Sequence, residues 1–344
     1  MKHVLTALIK AYEIQGCFQI KNAFNKVGLD HVILVKVAST AMVSWLLILS
    51  KEKAKAAVSH AWMDGHPLRI YRQAPNTGPR KGWAGGDACM RAVHLALLVK
   101  AGQPGARTAL TTPKLGFYDV LFKGGAFDLP RPFGTWVIEN VIFKVNTAEG
   151  HGMTAVEAAL QISNDMKRRE LTPKDIANIR VRTIEAAMII INKQGPLHNA
   201  ADRDHCLKYM VAVVFNKGSM VDTEDYQDMS SWALDPEVEA LREKITLVED
   251  LQFTRDYHDP VIQSISNAVQ VQLKDGTLLD EVTINYPQGH VLHAETPELV
   301  HAKAKRNLSL GLSAEKVGSI VDTVYGPDFL TTPVSSFIDM FALP

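Results

Sequence analysis

VQVQLKDGTLLDEVTINY, from Val269 to Tyr286, is the stretch whose reading decides the fold. Two runs alternate apolar and polar side chains on either side of Asp275-Gly276. Period 2 gives each run one face to bury, and an Asp-Gly pair suits the tight turn of a β-hairpin. Upstream, IANIRVRT (Ile176 to Thr183) alternates in the same way. Helical stretches lie nearby, at Thr154 to Lys167 and at Asp204 to Phe215. Strands mixed with helices predict an α+β unit.

On both sides of that unit the period is helical. His31 to Leu49 carries Val32, Val35, Val43, Leu46 and Leu47 among small residues, the pattern of a helix packed on several sides. Another helix begins at Lys51 with Ser50 as its N-cap. The first residues place Leu5, Leu8, Ile9 and Tyr12 on one helical face. From Pro297 onward Leu299, Val300, Ala304 and Leu308, then Ile320 and Val324, return to helical spacing. The predicted architecture is mostly α with an inserted α+β domain. Residues 1–140 form the first part of a large helical domain, 141–290 the smaller α+β domain, and 291–344 the C-terminal part of the helical domain.

Of the 344 residues 47% are hydrophobic, enough for one large core or two smaller ones. Lys and Arg number 37 and so do Asp and Glu, giving a formal net charge of zero. A nucleic-acid binder carries a clustered basic excess, and none is visible. The three cysteines, Cys17, Cys89 and Cys206, are far apart and odd in number, which argues against a disulfide framework. No C-x-x-C pair exists to hold an iron–sulfur cluster, and no H-x-x-x-H or H-E-x-x-H spacing exists to hold zinc. No cofactor and no metal are therefore expected. The longest apolar run, Val32 to Leu49, is interrupted by Lys36, Ser39, Thr40 and Ser44, so no membrane partner is expected either.

The richest chemistry lies in the loop GHPLRIYRQAPNTGPRKGWAGG, Gly65 to Gly86, read as ending at Asp87, the N-cap of a helix from Ala88 to Lys100. Gly85 and Gly86 beside a helix start let an anion approach backbone N–H groups, and Lys81 adds a charged donor. The alternative is an ordinary glycine-containing helix entry with a solvated lysine. His31 sits at a helix entry, where capping or packing is the alternative role. His151 stands between glycines in AEGHGM, a setting that presents a side chain. Arg69 and Arg80 suit bidentate clamps on carboxylates, or a plain surface role.

The segments EIQG (Glu13 to Gly16), VGLDHV (Val27 to Val32), MDGHPLR (Met63 to Arg69), KGWAGGDACMRAVHLALL (Lys81 to Leu98), GFYDVLFKG (Gly116 to Gly124), GPLHNAADRDHC (Gly195 to Cys206) and DYHDP (Asp256 to Pro260) occur in this order along nearly the whole chain. Together they resemble the MmgE/PrpD family. The resemblance implies a homodimer whose subunits each have a large helical domain and a smaller α+β lid. It implies a carbon–oxygen lyase acting on a small tricarboxylate. The reaction would be metal-independent dehydration of 2-methylcitrate to 2-methyl-cis-aconitate in propionate degradation, in the cytoplasm or, in a eukaryote, the mitochondrial matrix. The family also includes cis-aconitate decarboxylase, whose active-site lysine and histidines have counterparts at Lys81, His31 and His151. Its further acidic positions lie in an upstream D-x-D-D segment absent from this chain. The expectation is thus of a chain lacking the family's N-terminal portion, with an inactive truncated paralogue as one alternative and a decarboxylase as the other.

The chemistry sets what such a site needs. Removing a proton α to a carboxylate builds negative charge there, and the departing hydroxide must take up a proton. Lys81 is the candidate for stabilising the carboxylate. His31 and His151 are candidates for the acid and base, unassigned between them.

Overall fold

The alternating run at 269–286 folds as a hairpin. Strand β3 (Asn267–Leu273) pairs antiparallel with β4 (Val282–Ile284), with Val269 opposite Val282. The turn closes through the Leu273 N–H to the Thr277 carbonyl, and Gly276 adopts φ +91°, which its missing Cβ permits. Strand β1 (Ile176–Thr183) pairs antiparallel with β3, setting Ile179 opposite Val271. A strand unassigned from sequence, β2 (Ile245–Glu249), lies parallel to the other side of β1. The sheet order is β2-β1-β3-β4. Along β1, Ile176, Ile179 and Val181 are buried, while Arg182 on the opposite face bonds Asp250 and Glu281.

In the computed structural model, residues 1–73 and 76–342 are described. The chain divides into two compact units, residues 1–141 with 307–344, and residues 142–306. The second boundary falls after Arg306, where the sequence reading had 290. The reason is that the helix Thr296–Leu308 is tied back to the α+β unit. Lys303 donates to the carbonyls of Lys144 and Asn146, and Arg306 pairs with Asp222 at 3.2 Å.

The helical unit begins with α1 (Lys2–Lys21), α2 (Val32–Leu46), α3 (Lys51–Met63) and α4 (Arg80–Lys100). Ser50 caps α3 as expected, accepting from the Lys53 N–H. In α1 the buried stripe is Ala7, Glu13 and Cys17, and the expected apolar face is solvent-facing, with Leu8 50% exposed and Tyr12 43%. The cause is Glu13, whose carboxylate accepts from the N–H groups of Gly134 (2.9 Å) and Val137 (2.7 Å) at the start of α6 (Trp136–Asn140). This holds the stripe Ala7, Glu13 and Cys17 inward, while Lys2, Lys10 and Lys21 stay exposed. The segment around α5 (Phe117–Leu121) is held by aromatic contacts, with Phe117 and Phe127 at 5.1 and 5.0 Å from Trp62.

In the α+β unit the sheet packs on α7 (Met153–Arg168) and on α10 (Leu207–Lys217), with α8 (Glu185–Ile190) and α9 (Ala200–Arg203) between β1 and α10. The ADRDHC segment is a brace in this unit. Asp202 accepts from Lys193 at 2.6 Å and from the His198 N–H, and Arg203 donates to the Tyr226 carbonyl at 2.7 Å.

Glu157 on α7 is buried and accepts from Asn146 (3.1 Å) and from the Gln288 N–H (3.1 and 3.3 Å). Burial pushes its carboxyl from the ordinary 4.5 up to about 7. Between those values the folded state holds a proton that the unfolded state releases, so this group's contribution to stability is lost as pH rises through 7. Glu157→Gln removes the titration. The melting temperature of the variant, relative to wild type, should rise from pH 4.5 to pH 7 and then level off. A difference constant across that range in parallel thermal melts would refute it.

Candidate functional site

The helix read from Ala88 starts earlier, at Arg80, so Lys81, Gly82, Gly85, Gly86 and Asp87 all lie within α4. Asp87 is not a cap; it pairs with Arg91 at 3.1 Å on the same helix. The residues Ala74 and Pro75 of the predicted loop lie outside the described residues. The physical reason for the longer helix is a ridge of alanines. Ala84, Ala88, Ala92 and Ala96 recur every four residues, all are buried, and the ridge faces α2. This contact offsets the roughly 2–3 kcal/mol that three helical glycines cost relative to alanine. The anion nest expected at Gly85 and Gly86 is therefore absent, because those backbone N–H groups belong to a helix. The N–H groups of Lys81 and Gly82 are also taken, by the carbonyls of Gly78 and Pro79. What remains at Gly85 and Gly86 is open space, since a Cβ on either would touch nothing within 4 Å.

His31 directly precedes α2, but Asp30 does the capping, accepting from the Val32 N–H at 3.0 Å. Asp30 is fully buried and bonds the Arg72 guanidinium. Burial alone would push its carboxyl up, yet Arg72, His31 and the Val32 N–H hold it below the ordinary value. His31 Nδ1 lies 3.6 Å from Asp30 Oδ1, too long for a strong hydrogen bond but close enough for electrostatic orientation. Burial keeps the His31 ring below the ordinary imidazole value; Asp30 opposes that shift, while Arg72 and Arg69 reinforce it. Near neutral pH its ring is thus mainly uncharged, the state a general base requires.

Tyr71 links this cluster to α4. Arg72 lies over its ring at 5.0 Å and Arg80 at 5.2 Å, with Arg80 also 4.4 Å from the Trp83 ring. Val32, Tyr71, Ala84 and Ala88 share one buried cluster. The structure thus brings His31, Arg69 and Arg80 to the neighbouring starts of α2 and α4, where Lys81 also lies.

Beside them is a cavity of about 190 Å³, lined by Val32, Ile33, Lys36, His66, Arg80 and Asp87 among others. Lys36 and His66 were not singled out from sequence. Lys36 is only 2% exposed and donates to the carbonyls of Asp64 and Gly65. Burial pushes its ammonium down to about 8. His66 is held near 4 by burial and by Lys36, and bonds the Trp62 carbonyl at 2.8 Å. The one sequence signal for Lys36 was a lysine inside the most apolar run of the chain.

In the α+β unit, His151 sits in a short turn, Gly150–Gly152, opening α7. Glu149 accepts from the His151 N–H at 2.8 Å and faces its Nδ1 at 3.2 Å, while Nε2 lies 3.2 Å from the Tyr257 hydroxyl. Burial would raise the Glu149 carboxyl, but the His151 ring and N–H bring it down to about 2. A persistent carboxylate there accepts from Nδ1–H and turns Nε2 toward the Tyr257 hydroxyl. Asn267 of β3 holds the turn, donating to the His151 carbonyl at 2.8 Å. Sequence reading found His151 but missed Glu149, which was legible two residues upstream in AEGHGM, and Tyr257, which only the approach of the helix Leu251–His258 brings to the ring. Among the described residues, no group of three or more His, Cys, Asp or Glu side chains is placed to hold a metal ion.

Comparison with known proteins adds the family. Residues 1–130 match the MmgE/PrpD N-terminal domain and residues 147–325 the MmgE/PrpD C-terminal domain. The chain is 67% identical over 342 residues to the 2-methylcitrate dehydratase-like protein oryR of Aspergillus oryzae, covering 99% of this chain and 69% of that protein. It is 51% identical to the alkylcitrate dehydratase phiI of a fungal species, covering 99% and 67%. It is 48% identical to the 2-methylcitrate dehydratase of Escherichia coli, covering 100% and 71%. The helical and α+β units, and both halves of the sequence, agree on one assignment: the chain belongs to the MmgE/PrpD family.

Proposed function

We propose that this protein is a hydro-lyase that removes water from 2-methylcitrate to give 2-methyl-cis-aconitate in propionate catabolism. The observation that carries the reading is near half identity, along essentially the whole chain, to bacterial and fungal proteins bearing the name 2-methylcitrate dehydratase. A relative named as mitochondrial and others from bacteria support a cytoplasmic or matrix location. No helix among the described residues is long and apolar enough to cross a membrane. A homodimer, with the α+β unit acting as a lid, completes the proposal.

The reaction breaks a C–H bond next to a carboxylate and a C–O bond on the adjoining carbon. The proton passes to a base, the hydroxide leaves as water with a proton from an acid, and the electron pair becomes the double bond. Lys81 supplies positive charge to the carboxylate on which charge develops, with Arg69 and Arg80 as carboxylate partners. His31, mainly neutral, and His151, oriented by Glu149, are each a candidate for the acid or the base. A second reading follows from the alkylcitrate dehydratase relative: the substrate carries an alkyl group longer than methyl.

Turnover decides among these. The protein should convert 2-methylcitrate to a product absorbing as a conjugated tricarboxylate, with activity retained after exhaustive EDTA treatment. Faster conversion of a longer alkylcitrate would favour the second reading, and itaconate formed from cis-aconitate would replace dehydration by decarboxylation. Recovery of EDTA-treated enzyme only on adding iron or zinc would sink the metal-independent mechanism.

Lys81→Ala should lower kcat at least about a hundredfold with little change in melting temperature. Near-normal turnover would remove Lys81 from its role. His151→Asn should cost at least about a hundredfold in kcat, and Glu149→Gln about tenfold with KM nearly unchanged. Wild-type turnover in the His151 variant would exclude that histidine from proton transfer.

A further inference from the structure

The Lys36 cavity is built at a cost that packing alone does not explain. A lysine in the middle of α2 is 98% removed from solvent, since it is 2% exposed, and burying an ammonium is expensive unless its donors are used. An ammonium has three N–H donors. The Asp64 and Gly65 carbonyls accept two, and among the described residues nothing accepts the third. Both carbonyls belong to the turn that ends α3, and Gly65 has φ +58°. That left-handed φ strains any residue with a Cβ and favours glycine at the turn, with the Arg91 guanidinium packed beside it.

The remaining charges do not cancel. Asp87 is paired with Arg91 at 3.1 Å. Asp64 and Asp87 also attract Lys36, but both face Arg91, so the cations Lys36, Arg80 and Arg91 outnumber the two carboxylates, and Arg80 has only the Tyr71 and Trp83 rings for company among the described residues. His66 is neutral near pH 7 and adds no opposing charge. The rest of the wall includes Val32, Ile33, Ala84 and Ala88, which exclude water and strengthen the attraction for an anion. A volume of about 190 Å³ admits a carboxylate-bearing arm and not merely one water.

We propose that this cavity is a carboxylate subsite, in which Lys36 and Arg80 hold one carboxylate of a tricarboxylate ligand and select it over dicarboxylates. The proposal rests on the dehydratase reading for the identity of the ligand. Lys36 and Arg80 act there in binding and not in proton transfer, so their loss raises KM while leaving kcat nearly unchanged.

The test uses two unreactive probes, propane-1,2,3-tricarboxylate and glutarate, with calorimetry on the wild type, Lys36→Met and Arg80→Met. The wild type should bind the tricarboxylate at least about tenfold more tightly than glutarate. In both variants the tricarboxylate affinity should fall to that of glutarate, while glutarate binding stays as it was. KM for 2-methylcitrate should rise by a similar factor. A Lys36 variant that melts early but binds the tricarboxylate like wild type would mean that Lys36 only closes the end of α3, and would overturn the subsite. Should Lys36→Met fail to fold, Arg80→Met, altered at a half-exposed position, provides the same comparison. Tricarboxylate binding that depends on Lys36 or Arg80 in a protein without turnover would keep the subsite and defeat the dehydratase reading. Turnover with unchanged binding in folded variants would do the reverse, and a wild type that does not prefer the tricarboxylate overturns the subsite outright.

Discussion

The approach of α2 to α4 over an alanine ridge governs the helical unit. Side chains no larger than methyl at positions 84, 88, 92 and 96 let two helices approach closely, and Val32 at the start of α2 packs against Ala84 and Ala88 near the start of α4. The same ridge explains why glycines at 82, 85 and 86 persist in a helix despite their entropy cost. It also brings Arg80 over Tyr71 and sets Val32 against Ala84 and Ala88. A larger side chain anywhere along the ridge would separate the helices and move the cations at their ends.

Buried charge is the second organising theme. The formal net charge is zero, yet Glu13, Asp30, Lys36, Asp202 and Arg203 are all nearly inaccessible. Most of them close backbone loose ends. Glu13 takes the N–H groups at the start of α6, Asp202 takes the His198 N–H, and Arg203 takes the Tyr226 carbonyl. Such groups brace the fold because each lone pair or donor that burial strips of water finds a partner. The charges that stand apart are those with capacity left over, or those that orient a histidine. Asp30 beside His31, Glu149 beside His151, and Lys36 at the cavity wall are of this kind.

Much of the α+β unit was legible because a period of two is hard to mistake. Ile176 to Thr183 and the hairpin about Asp275-Gly276 folded as read. Strand β2 was not assigned, since ITLVE is too short to establish a period and is defined by its pairing with β1. The start of α4 was misread for a different reason: local glycine propensity was outweighed by packing against α2. The exposed face of α1 follows the same logic, because one buried carboxylate reversed what apolar spacing implied.

The sequence by itself determined the family, the α and α+β textures of the two units, and the residue types available for chemistry, because motif order and periodicity are local properties of the chain. That the His151 ring meets Tyr257, that Lys81 is helical, and that Lys36 lines a cavity were decided only by tertiary structure. Those features depend on contacts between segments far apart in the chain, such as Asp30 with Arg72, His151 with Tyr257, and Lys36 with the turn at Asp64 and Gly65. The free energy of a buried charge or an oriented ring resides in these distant partners, and no local pattern of residues encodes it.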